Sequence, residues 1–100
     1  MQKLKGLWIP AEILLNKELS DKEKIILSMI LYLSEEKGSC FASNKYISII
    51  VNVTPERVSK IISSLKDKGY VKVKLKYKTD SKEIEERQIL PIVENINRYS

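Results

Sequence analysis

Apolar positions along this chain follow a helical period through its first two thirds, then switch to strict alternation. In SDKEKIILSMILYLSEEKG, residues 20–38, Ile25, Ile26, Met29, Ile30 and Leu33 recur at the spacing of one helix face. Ser20 is a good N-cap, Glu23 three residues later completes a capping box, and Gly38 is a stop. The pattern predicts a first long helix over residues 21–36. Ahead of it, LWIPAEILLNK reads as an opening segment and a short helix. Pro10 suits a first helical turn, and Trp8 and Ile9 are expected to anchor on the core. SCFA, residues 39–42, has room for one small strand.

Two shorter helical stretches follow. Ser43 is placed to cap a helix from Asn44 to Val51, with Tyr46, Ile47, Ile50 and Val51 inward. Asn52 and Val53 make a tight turn. Thr54 then caps a third helix, residues 55–68, with Pro55 at its first position, where a missing N–H costs nothing. Val58, Ile61, Ile62 and Leu65 form its buried stripe, Lys66 and Lys68 favour its negative end, and Gly69 supplies a left-handed stop.

In YVKVKLKYK the period drops to two: Val71, Val73, Leu75 and Tyr77 alternate with Lys72, Lys74, Lys76 and Lys78. This is a half-buried strand. TDSK is a polar turn and EIEERQILPIV the return strand. A two-residue turn at Asp80 and Ser81 sets Lys78 against Glu83, Lys76 against Glu85 and Tyr77 against Ile84. Pro91 marks the end or edge of the ladder. VENINRYS reads as a short helix or a frayed tail. The expected core is Ile25, Ile26, Met29, Ile30, Ile47, Ile50, Val58, Ile61, Ile62 and Leu65, closed by Val71, Val73 and Leu90.

Charge sharpens this picture. The 100 residues carry 18 Lys and Arg against 13 Asp and Glu, a net of +5. Residues 1–38 balance six Lys with six acids, whereas residues 39–69 hold five basic and two acidic groups, and residues 70–90 six basic and four acidic. The excess therefore lies on the last two helices and the hairpin, and it points to an anionic partner. One Cys excludes an internal disulfide and a Cys-based zinc site. The absence of His removes the usual general base and metal cluster, and the three Gly stand apart, so no phosphate loop is present. An enzyme, a cofactor and a small-molecule substrate are not expected. IILSMILYL is about half the ~20 residues a membrane span needs, and the first residues lack the apolar run of a signal peptide, so a cytoplasmic protein is expected.

The order helix, short strand, helix, tight turn, helix, hairpin is that of a winged helix-turn-helix: mainly α (α+β), with a three-helix core and a small antiparallel wing, in one domain whose core spans about residues 7–92. SNKYISIIVNVTPERVSKIISSLKDKGYV resembles the winged-helix domain near the N-terminus of phage and plasmid replication initiators of bacteria. WIPAEILLNKELSDKEKIILSMILYL resembles the opening of the same domain. The third-helix pattern V-T-x-x-x-V-S-K-x-I-x-x-L-x-x-x-G-Y-V is shared by many DNA-binding winged helices, transcription repressors among them. The resemblance implies double-stranded DNA binding and origin recognition, with transcriptional regulation as the alternative. Family members of this kind are usually longer, with a further domain beyond the wing.

On the third helix, Glu56, Arg57, Ser59, Lys60, Ser63 and Ser64 fall off the buried stripe. Arg57 is the best base reader, since a guanidinium meets guanine in two places. Ser59 and Lys60 suit base or phosphate, and Glu56 suits cytosine or simply the helix start. Ser43, Asn44 and Lys45 open the second helix and suit a phosphate there, and Thr54, which also holds the start of the third helix, is counted with Ser63 and Ser64 among the expected DNA contacts. Lys76, Lys78 and Lys82 suit the duplex backbone beside the wing. Against these stand plainer readings: a solvated helix face, ordinary capping by Ser43, and lysines paired with Glu83 and Glu85. Ile96 and Tyr99 are candidates for a surface shared with a second copy, and further replication proteins are candidate partners. Cys40 reads as a small buried hydrophobe. A winged helix used only as a protein-interaction module is the remaining class.

Overall fold

The computed structural model describes residues 4–97. Its elements are α1 (Ala11–Leu14), α2 (Asp21–Leu33), α3 (Asn44–Val51), α4 (Pro55–Asp67), β1 (Val71–Tyr77), β2 (Ile84–Pro91) and α5 (Val93–Ile96). Each of the three long helices starts where its cap residue stands. Ser20 accepts from the Glu23 amide while the Glu23 carboxylate accepts from the Ser20 amide, a full capping box. Ser43 accepts from the Tyr46 amide, and Thr54 from the Arg57 amide with Pro55 following. Pro10 itself sits at the N-cap of α1, one residue earlier than expected, and makes no side-chain cap. α2 ends at Leu33 rather than near residue 36: the Ser34 hydroxyl folds back onto the Ile30 carbonyl, and Gly38 enters the left-handed region at φ 77°.

Asn52 takes a left-handed conformation, φ 57°, and reverses the chain between α3 and α4. Asn is among the few residues that adopt it without large strain. Gly69, φ 86°, ends α4 in the same way, and the Tyr70 amide then reaches the Leu65 carbonyl.

The hairpin departs from the expected register. Tyr77 does face Ile84, but a bulge follows, so Lys76 lies opposite Glu86, Leu75 opposite Arg87, Val73 opposite Ile89 and Val71 opposite Pro91. One extra residue on the return strand shifts every inner partner by one. Ile89 is therefore fully buried where Leu90 was expected, and Leu90 is only half-buried. The turn also differs. The Lys78 amide bonds the Glu83 carbonyl and the Ser81 amide the Lys78 carbonyl, so the loop holds four residues, 79–82, with Asp80 left-handed. Where SCFA was expected to form a small strand, Cys40 alone makes an isolated antiparallel bridge to Ile89.

α4 packs on α2 and α3, and the sheet closes the far side against α2 and α4. The buried centre contains Ile26, Met29, Ile30, Ile47, Val58, Ile61, Ile62, Leu65 and Val71, as the periodicity indicated, together with Ile13, Leu19, Leu27, Tyr70 and Ile96. Each such aliphatic side chain contributes about 1.5–3 kcal/mol by burial. Two expected core residues, Trp8 and Ile50, lie elsewhere, as does the outer end of the wing's apolar side. Trp8 is 80% exposed, while Leu7 and Ile9 on either side of it pack against the core. Ile50 is exposed: the buried face of α3 runs through Ile47, Ser48 and Val51, and Ile50 is at its rim. Tyr77 lies past the end of the core and is half exposed. Ile25 and Val73 are half-buried against the cluster. α5 is the short helix read in VENINRYS, tied by the Asn95 amide group to the Gly69 carbonyl. Helices α2, α3 and α4 with the β1–β2 wing make a winged helix-turn-helix fold. No helix among the described residues is long and apolar enough to cross a membrane.

Candidate nucleic-acid interface

With Val58, Ile61, Ile62 and Leu65 turned inward, α4 presents Glu56, Arg57, Ser59, Lys60 and Ser63 to solvent. The Thr54 hydroxyl accepts from the Arg57 amide at 3.2 Å and so fixes the start of this face. Arg57 and Lys60 flank a shallow hollow that also touches Ser20, Glu23 and Ser64.

Ser64 differs from its neighbours. It is half-buried, and its hydroxyl donates to Glu23 Oε2 at 2.7 Å. Lys68 Nζ lies 3.1 Å from both oxygens of the same carboxylate and donates to the Glu18 carbonyl at 2.7 Å. Burial alone would raise the Glu23 pKa; bonds from the Ser20 amide, the Ser64 hydroxyl and the Lys68 ammonium outweigh it and hold the carboxyl below its ordinary range. Glu23 thus caps α2 and clamps α4 onto it. The capping role is visible in the sequence spacing; the reach across to residues 64 and 68 is not. Close by, Asn16 donates to the Tyr70 hydroxyl at 2.8 Å, and that hydroxyl donates to Glu18 at 3.1 Å.

At the start of α3, the Ser43 hydroxyl accepts from the Tyr46 amide and Lys45 is exposed. Asn44 is held: Arg87 Nη1 donates to its Oδ1 at 2.6 Å, while Arg87 Nη2 donates to the Ala42 carbonyl at 2.6 Å. Arg87 is the functional candidate the sequence reading missed. The bulge turns it to the same face as Ile89, toward the helices, and a simple alternation count does not reveal that. Burial lowers its pKa, and the two acceptors it holds are neutral.

The wing divides its residues by face. Val71 and Val73 are turned to the core, and Leu75, Tyr77 and Ile84 continue that side outward, exposed. The row of lysines occupies the other face, so Lys76 is not brought beside α4. Lys76 lies 3.6 Å from Glu85 and Lys78 3.4 Å from Glu83, both in solvent, where such pairs contribute little. Lys82 is exposed at the tip. Ile96, a candidate for a surface shared between copies, is 3% exposed and belongs to the core. Tyr99 lies outside the described residues. Cys40 is fully buried, and burial raises the pKa of its thiol.

No curated protein and no solved structure gives a significant match to the chain. A family model described as a helix-turn-helix domain matches residues 17–71, from just ahead of α2 through α3 and α4 to the first residue of β1. That match covers more than half of the sequence, and the elements it covers carry the capped α4 and its polar face: the chain belongs to the helix-turn-helix domain family.

Proposed function

We propose that this chain is a DNA-binding domain that lays α4 in the major groove of double-stranded DNA, with its wing against the neighbouring backbone. The observation that carries this reading is the outer face of α4. Arg57, Ser59, Lys60 and Ser63 stand exposed there on a helix whose first turn is fixed by Thr54 and Pro55. In such motifs the N-terminal part of the recognition helix reaches base edges. Arg57 is the base reader, Ser59, Ser63 and Lys60 contact base or phosphate, and Glu56 favours the positive end of the helix. Ser43, Asn44 and Lys45 at the start of α3 contact backbone, as do Lys78 and Lys82 at the wing tip. Ser64 serves α4 by holding Glu23 rather than by reaching outward.

Within DNA binding, origin recognition in phage or plasmid replication is supported by the resemblance of residues 43–71, of the WIP opening and of the LSDKEK start of α2. A transcription regulator fits the same fold equally. Selection of bound sequences from a random duplex pool tests the proposal: recovery of a preferred site supports it, and recovery of none removes it. Iterated sites favour replication, and a palindrome favours a dimeric regulator. A second reading, a protein-interaction module, draws on the exposed Leu75, Tyr77 and Ile84 along one side of the wing. It predicts binding that resists salt.

A further inference from the structure

Between α4 and the base of the wing runs a groove of about 160 Å³ lined by Ser59, Ile62, Ser63, Lys66, Val73 and Arg87. Three features set it apart from an ordinary crevice. Its polar lining is two hydroxyls and two cations; no carboxylate faces it. Ser59, Ser63 and Lys66 are exposed, and among the described residues their side-chain polar groups have no hydrogen bond or ion pair within the chain. Arg87 is half-buried, yet its acceptors, the Ala42 carbonyl and Asn44 Oδ1, are neutral, and it makes no ion pair among the described residues. A cation partly withdrawn from water without a counter-charge is costly unless an anion completes it. Two of the five guanidinium N–H groups are taken by these acceptors, which leaves donors for a third partner and locks the orientation of the fork.

We infer that this groove seats one backbone phosphodiester of duplex DNA, with Arg87 and Lys66 supplying charge and Ser59 and Ser63 supplying hydroxyl donors. The inference rests on the DNA-binding reading and deepens it. Arg87 is anchored to Ala42 and Asn44 at the start of α3, stands on the wing, and lines the groove along α4. A phosphate bound there therefore sets the register of the recognition helix and the wing together. Because phosphate carries no base identity, the seat contributes equally on every sequence.

The test uses the parent, Lys66→Ala, Arg87→Gln and the double variant, with fluorescence anisotropy on preferred and random duplexes over a salt series. Circular dichroism and thermal melting accompany each. Lys66 is exposed, so Lys66→Ala keeps the fold and the inference testable even where Arg87→Gln loosens the wing. The expected result is a loss of about tenfold on both duplexes for each single variant, as for a charge-assisted contact. The double variant lowers the salt slope by about one unit, the signature of a single shared phosphate, rather than by about two. A folded Lys66→Ala protein with parental affinity and slope overturns the seat while leaving duplex binding intact. A parent that binds no duplex overturns the function as well. Inorganic phosphate alone, titrated while following the Ser63 and Arg87 amide resonances, separates the sources: saturation at millimolar phosphate assigns the groove to free phosphate and overturns the backbone seat, and no shift supports it.

Discussion

Arg57 and Glu23 both line the hollow beside α4, and they do opposite work. Arg57 is exposed and its side chain makes no bond within the described residues, so its removal leaves the fold alone. Arg57→Ala is expected to weaken binding and to relax sequence preference by about 1–3 kcal/mol, the worth of a bidentate guanine contact. Competition between preferred and mismatched duplexes measures this; unchanged preference at several salt concentrations assigns base reading elsewhere on α4. Glu23 is buried and structural. Its folded pKa lies below the ordinary 4.5, so the stabilisation it gives is full above about that pH and is lost as pH falls through the lower folded value. Glu23→Gln is expected to cost about 1–2 kcal/mol at pH 7, at the low end for bonds to a charged group because Lys68 is partly in solvent. Urea melts over a series from pH 7 into the acid range check it: the gap between parent and variant is constant near neutrality and narrows as pH falls below 4.5. A gap that does not depend on pH assigns the loss to packing.

Among the elements, the wing is the least settled by alternation alone. The helices were legible because capping and period agree: Ser20, Ser43 and Thr54 stand at the three N-caps, and four apolar residues of α4 keep one face. A bulge leaves no comparable mark. It needs one residue more on the return strand, and nothing in EIEERQIL advertises which; the result is Ile89 inside instead of Leu90, and Arg87 facing the helices. Trp8 misled for a related reason, since its neighbours Leu7 and Ile9 take the core and leave it in solvent. The hydroxyl of Ser64 and the guanidinium of Arg87 found partners 41 and 43 residues away, beyond the reach of any local pattern. For the wing itself, Lys78→Ala with Lys82→Ala is expected to weaken preferred and random duplexes by a similar factor. The salt slope should fall by about one to two units, the lower figure holding if Glu83 already neutralises Lys78. Melting stays parental, as both side chains are in solvent. Parental affinity in this variant means the wing tip stays off the duplex, and loss confined to the preferred site means that it reads bases.

At the scale of the whole molecule, the distribution of charge and the fold make one claim together. The net +5 is carried by the residues from 39 onward, which include α3, α4 and the wing, while the opening third is neutral and supplies core. A duplex laid along α4 meets roughly four to seven basic groups, and each neutralised phosphate releases condensed counterions. The same molecule also exposes Leu75, Tyr77 and Ile84, and an apolar interface there would be nearly indifferent to salt. One titration separates the two. Binding of a random duplex, followed by anisotropy from low to moderate salt, is expected to give log K against log salt a slope of about −4 to −6. A slope near zero, or no binding at low salt, contradicts DNA as the ligand and leaves the apolar side of the wing as the functional surface.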